Sequence, residues 1–189
     1  YWLIITGMLK DYGWSVKDIE IRDREIEQVN NSYKFKKVHR LNFPAANLDQ
    51  IKMSDIVGKI SSIIKLVEPN LIYTPFKFDV HSDHQITARA VQSCIKRFRH
   101  PYISKVLMYE TISETDQSFT VGKPFCPNVF INIDNFIDKK IDVMNIYSSE
   151  IGNHPFPRSE LAIRALASLR GSQCFTKSAE AFELIFECQ

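Results

Sequence analysis

No stretch of this 189-residue chain approaches the roughly 20 consecutive apolar residues of a membrane-spanning helix. Strong charge of either sign is missing as well. Lys and Arg number 24 against 22 Asp and Glu, a formal net charge of +2, so no field gathers nucleic acid or an anionic membrane surface. The densest basic run, KRFRH at 96–100, falls at the predicted end of a helix, where cations complement the helix dipole. The cysteines Cys94, Cys126, Cys174 and Cys188 have no Cys-x-x-Cys spacing. They offer no cysteine zinc site and read as reduced cytosolic thiols, mostly core filler, in a cytoplasmic protein. No repeat, low-complexity tract or linker divides the sequence, so a single domain over 1–189 is expected. The opening YWLIIT has no basic segment before it and no small-residue cleavage site after it, and reads as a buried strand rather than a secretory signal.

What is present suits a packed core: 44% hydrophobic and 12% aromatic residues. Strand-like runs at 1–6, 37–41, 70–75, 105–110 and 128–133 alternate with stretches of helical period at 19–31, 52–67, 83–98 and 134–147. In the 52–67 stretch, Ile56, Ile60, Ile63 and Ile64 fall on one face, and Pro69 ends it. Asp134 is placed as an N-cap, two further helices are expected at 159–170 and 178–186, and Gly171 is expected to cap the first of them. The alternation predicts a doubly wound α/β fold, a mostly parallel sheet with helices on both faces. Ligands in such sheets bind outside the carboxyl ends of the strands. The polar segment 111–127 is expected as a long loop on that side.

The segment FDVHSDHQ at 78–85 leaves the end of one predicted strand and places two imidazoles and two carboxylates in a short loop. Imidazole ligates zinc and exchanges protons near neutral pH, and a neighbouring carboxylate fixes its tautomer. His81 and His84, three apart at a loop-to-helix boundary, can diverge toward a metal and a substrate, with Asp83 orienting His81. The alternative is a turn in which Asp79 and Asp83 cap and both histidines are exposed. The adjacent Asp83 and His84 also match the metal-binding pair of all-helical phosphohydrolases, but here the pair follows a strand.

The stretch Pro75–His84, PFKFDVHSDH, resembles the second signature of the LmbE-like, or PIG-L, family of zinc-dependent N-deacetylases. Thr6-Gly7 resembles the family's turn after a strand, RDRE at 22–25 its Arg-x-x-Glu helix, and PRS at 157–159, RG at 170–171 and AEAF at 179–182 its closing segment. The resemblance implies a Rossmann-like α/β hydrolase that removes an acetyl group from an N-acetylated amino sugar or glycoconjugate, with zinc as cofactor. Carried over residue by residue, His84 is a zinc ligand. His81, as imidazolium, stabilises the oxyanion and protonates the leaving amine, and Asp83 holds it. Arg22 contacts the substrate or braces the pocket with Glu25 as its partner, and Arg158 faces the substrate, although Arg22 and Glu25 also fit an exposed i, i+3 helical charge pair and a turn packed by Phe156 also explains Arg158. His154, in the same NHPFPRS loop, lines the pocket with Arg158 or belongs to that turn, and Glu180 is left without an assigned role.

The family's opening strand followed by His-Pro-Asp-Asp-Glu, which supplies further zinc ligands and a general base, has no counterpart in this sequence. By resemblance, one strand, the catalytic loop and one helix are absent, and the chain as written is expected to be inactive. A non-catalytic sugar-binding or scaffold remnant of the same fold is the alternative. The expected partner is a small N-acetylated sugar or glycoconjugate, with no nucleic acid; a homo-oligomer is compatible with these features.

Overall fold

A computed structural model describes residues 1–188. In chain order it contains β1 (Trp2–Gly7), α1 (Val16–Tyr33), β2 (Val38–Pro44), α2 (Met53–Val67), β3 (Leu71–Pro75) and α3 (Ser82–Cys94). There follow β4 (Lys105–Tyr109), β5 (Val129–Asn132), α4 (Ile137–Ile146), α5 (Glu160–Gln173) and β6 (Ala179–Glu187). The strands form two sheets. β1 and β2 pair in parallel as one, and β3-β4-β6-β5 forms the other, in which β3 and β4 are parallel and β6 is antiparallel to both neighbours.

Two of the helices begin at serine caps. Ser15 caps α1 by accepting the Asp18 amide, and Ser159 caps α5 by accepting the Ala162 amide. α2 buries Ile56, Ile60 and Ile64, one per turn, and stops at Glu68, which takes the left-handed conformation at φ 50°. The main core lies on the α2–α3 side of the sheets, where these isoleucines meet Phe43, Leu48, Val91, Ile103 and Val106. The opposite side carries α1, α4 and α5, so helices cover both faces as expected.

Four expectations are corrected. The predicted helix at 178–186 is strand β6. A short apolar run has no period long enough to separate helix from strand, and pairing to β4 and β5 on both sides decides for the strand. Gly171 is not a cap but lies buried in the last turn of α5, where a Cβ would sit 2.7 Å from the Thr176 carbonyl oxygen and 2.8 Å from the Lys177 carbonyl. Asp134 does not cap α4; its Oδ1 accepts the Ser178 amide at 2.7 Å, and Phe136 holds the N-cap position. The helix predicted at 83–98 ends at Cys94, and Phe98 is solvent-exposed rather than packed.

Two smaller readings also change. β1 is half-buried along its whole length rather than buried, because only one of its edges has a partner. Of the cysteines only Cys94 is core filler, and burial pushes its thiol up to about 11.

Candidate functional site

The loop between β3 and α3 is built around Asp79, whose side chain is wholly buried. Its Oδ1 accepts the His81 amide at 3.0 Å, and its Oδ2 accepts the Thr115 hydroxyl at 2.9 Å. Oδ2 also lies 3.2 Å from Nδ1 of His84. That last contact is at ion-pair distance but off the line of a good hydrogen bond, so Nδ1 has no well-aligned acceptor. Burial by itself drives a carboxylate's pKa upward. Here the contact with His84, the His81 amide and the Thr115 hydroxyl outweigh it and hold Asp79 below the ordinary carboxylate value.

With Nδ1 turned to a buried carboxylate, His84 keeps Nε2 as the nitrogen open to a ligand. A carboxylate behind one imidazole nitrogen is the arrangement that fixes a histidine for metal binding through the other. The two rings of His81 and His84 stack, with centroids 4.8 Å apart and planes 21° from parallel.

His81 occupies the N-cap of α3, with Nδ1 accepting the Asp83 amide at 3.1 Å. An oxygen usually fills that role. A nitrogen that accepts carries no proton, so the neutral ring bears its hydrogen on Nε2. The imidazolium expected at His81 does not satisfy this cap; the geometry draws the Nε2–H tautomer.

Asp83 does not hold His81 through its carboxylate, as expected from its position. Its Oδ2 accepts the Ala46 amide at 2.7 Å and its Oδ1 the Leu48 amide at 3.1 Å. The carboxylate is buried and ties the turn after β2 to the start of α3. The backbone at Ala46 is left-handed, φ 57°, which aims its amide at this acceptor.

The three expected substrate-facing residues come together through one that sequence reasoning did not name. Glu150 Oε1 lies 2.6 Å from Arg22 Nη2, while Glu150 Oε2 lies 3.2 Å from Arg158 Nη2. Arg158 also donates to the Glu150 carbonyl and to the Ser113 hydroxyl, at 2.6 and 2.7 Å. Glu25 stands 3.3 Å from Arg22 and is buried, so the pair is part of a network and not an exposed helical ion pair. Tyr147 lies under the Arg22 guanidinium, and burial pushes its phenol up to about 12. Ser113 and Thr115, two residues apart, link this cluster to Asp79, so the 111–127 segment does border the histidine loop. His154 is exposed, and Glu180 pairs with Lys140 at 2.7 Å.

Thr115 and Glu150 are the residues that sequence reading missed as site members, both brought in from distant segments, whereas Asp79 was read as a turn or capping residue of the loop and does accept the His81 amide. Among the described residues, no three His, Cys, Asp or Glu side chains gather as a metal-binding group. His84 stands as one donor.

Residues 6–95 match the family model described as GlcNAc-PI de-N-acetylase, PIG-L. No curated relative matches the chain. Solved structures that share the fold include the following three. N,N'-diacetylchitobiose deacetylase from Pyrococcus horikoshii has a TM-score of 0.71 at 17% identity, over 97% of this chain and 71% of that one. GalB, the 4-carboxy-2-hydroxymuconate hydratase of Pseudomonas putida KT2440, has a TM-score of 0.71 at 13% identity, over 99% and 85%. The zinc-inhibited form of teicoplanin deacetylase Orf2 has a TM-score of 0.69 at 13% identity, over 95% and 85%. At such identities the likeness is one of fold, and the hydratase shows that the fold serves more than one chemistry. Across residues 6–95, which hold the histidine loop, the chain is similar to the PIG-L, or LmbE-like, family, and its architecture is the fold of these solved structures.

Proposed function

We propose that this chain forms the His81–His84 side of a de-N-acetylase acting on the acetamide of an amino sugar or glycoconjugate. The family match and the deacetylases among its structural relatives support this class. The observation that carries it is the stacked imidazole pair beside buried Asp79, with Nδ1 of His84 3.2 Å from that carboxylate and Nδ1 of His81 accepting the Asp83 amide. The Nε2–H of His81 can donate a hydrogen bond to the acetamide oxygen as it gains negative charge. Arg22 and Arg158, pre-positioned by Glu150, offer N–H donors for sugar hydroxyls. Asp83 acts through the backbone, keeping the loop in place.

A catalytic zinc commonly takes three protein ligands and leaves a position open. The residues present do not fit that ion by themselves, since among the described residues no three His, Cys, Asp or Glu side chains gather around His84. Purified chain 1–189 is therefore expected to lose zinc on dialysis and to release no acetate from an N-acetylglucosaminide. A chain extended at its N-terminus by a strand, a His-Pro-Asp-Asp-Glu loop and a helix is expected to retain zinc and to release acetate. In that extended chain, His84→Ala abolishes zinc retention, whereas His81→Ala keeps the metal and slows turnover by about 10²–10⁴. Stoichiometric zinc and acetate release by residues 1–189 alone would overturn the assignment. The incomplete donor set also favours a second reading, a non-catalytic sugar-binding protein. Sugar binding by the extended chain without acetate release would establish it.

A further inference from the structure

Arg170, in the last turn of α5, bonds to neither histidine, yet its guanidinium is tied down along its edge and across its face. Its Nε donates to Glu110 Oε1 at 2.7 Å and its Nη2 to Glu110 Oε2 at 2.6 Å. Nη1 is held by Gln173 Oε1 at 3.1 Å. Both members of the Arg170–Glu110 pair are only 14% exposed. A two-point fork of this kind fixes the orientation of both groups, which a single contact does not. Gly171 packs against the Thr176 and Lys177 carbonyls with no room for a Cβ, so the end of α5 rests directly on the turn into β6. β6 pairs with β4, and Glu110 is the residue that follows β4.

From Glu110 the chain passes straight into a tight turn. The Thr111 carbonyl accepts the Glu114 and Thr115 amides at 3.1 and 2.8 Å, and the Thr111 amide donates to Thr115 Oγ1 at 2.8 Å. A hydroxyl oxygen that accepts an amide hydrogen keeps its own hydrogen for another acceptor. Thr115 gives it to Asp79 Oδ2 at 2.9 Å. The same segment meets the histidine loop at two more points. The Glu114 carbonyl accepts the Val80 amide at 3.4 Å, and the Ser118 hydroxyl donates to the Phe78 carbonyl. Displacing Glu110 therefore displaces a brace on Phe78, Asp79 and Val80, the three residues before His81.

A second route runs through aromatic packing. The Arg170 guanidinium lies 5.8 Å from the centre of the Phe125 ring, within cation–π range. Phe125 meets Phe76 edge to face with centroids 5.3 Å apart, and Phe76 meets Phe78 in the same way at 5.7 Å. Phe76 is buried and packs with Ala88 of α3 and Met108 of β4. Both routes converge on residues 76–80, where the chain leaves β3 for the two imidazoles.

We infer that Arg170 is a positioning residue for His81 and His84, acting through Glu110 and the 111–118 segment on one route and through Phe125 and Phe76 on the other. A planar guanidinium forks a carboxylate with its edge while its face lies on a ring; an ammonium is a point charge and does not combine the two. Lysine at 170 keeps the charge and loses the geometry. The stacking of the two imidazoles, centroids 4.8 Å apart, is what this support holds in place. The consequence for turnover rests on the deacetylase reading, whereas the positioning itself does not.

The test follows the carbon-bound ring protons of all five histidines by NMR of chain 1–189 at fixed pH. Stacked rings shift one another's protons, so His81 and His84 report their own arrangement. The other three are internal controls: His39 in β2, His100 against Ser61 and Tyr102, and exposed His154. Arg170→Lys is expected to move the His81 and His84 signals and to speed exchange of the Val80 and His81 amides about tenfold, with the controls in place. Phe125→Leu cuts only the second route and should move the same two signals less. Ile141→Val trims a buried side chain of α4 and should lower stability without moving either signal. Arg170→Lys with His81 and His84 unmoved, all five histidines moved alike, or an equal effect of Ile141→Val on the pair would overturn the inference. Should Arg170→Lys not fold, Phe125→Leu decides by the same criteria. In an extended chain that releases acetate, Arg170→Lys should lower kcat by about 10- to 100-fold with KM little changed. A rise in KM alone would place Arg170 in substrate binding and overturn the inference. Displaced histidine signals in chain 1–189, with no acetate release by an extended chain, would leave the positioning standing and count against the deacetylase reading alone.

Discussion

The Asp79 carboxylate lies 3.2 Å from Nδ1 of His84 and is fully buried, with the His81 amide and the Thr115 hydroxyl filling the rest of its coordination. One acid thereby positions both histidines, His84 through its ring and His81 through its backbone. The stability it confers has a definite pH dependence. Its folded pKa is depressed, so the contribution is fully present above the unfolded carboxylate value of about 3.9 and is lost as the pH falls through the folded value. Urea midpoints measured from pH 7 down to pH 3 should show Asp79→Asn less stable than wild type at the upper end and converging with it at the lower. A constant gap across that range would rule out the ionised form as the stabilising one.

Asp83→Ala removes the acceptor for two amides, Ala46 and Leu48, at a buried position. Each unpaired buried donor costs roughly 1–3 kcal/mol. A loss of about 2–4 kcal/mol is expected in urea denaturation, with the histidine loop loosened as a consequence. A change under about 0.5 kcal/mol, the usual scatter of surface substitutions, would mean that Asp83 is not the tie between the two segments.

Glu150→Gln withdraws the charge shared by Arg22 and Arg158. Glu150 is partly exposed, so the stability change should stay within about 1 kcal/mol. In an extended chain that releases acetate, the expected effect is on KM for the acetylated sugar, with kcat changed less. A fall in kcat at constant KM would remove the two arginines from ground-state binding.

Gly171→Ala places a methyl 2.7 Å from the Thr176 carbonyl oxygen, a backbone atom that cannot rotate away. A cost of about 1–3 kcal/mol is expected from the forced shift of the 176–177 turn, despite the better helix propensity of alanine. Thermal unfolding measures it, and a stabilised variant would show that the turn yields freely.

Local chemistry explains what was legible in the residues. The period of Ile56, Ile60 and Ile64 specified α2, the apolar runs located five strands, and the crowding of Asp and His in FDVHSDHQ marked the site loop. The family resemblance rested on that loop and on short pieces in order along the chain. These signals are local in sequence, each needing only a few neighbouring side chains and the geometry of one element.

What the sequence could not reveal depends on segments that meet only in the folded chain. AFELIF forms a strand because β4 and β5 flank it, and Asp134 serves Ser178 instead of its own helix. Thr115 reaches Asp79 across 36 positions, Asp83 reaches Leu48 across 35, and Glu150 reaches Arg22 across 128. Residue types and periods were written in the sequence. The partner of each buried carboxylate was decided by tertiary structure, because a buried polar group bonds to whatever donor the packed chain brings within about 3 Å.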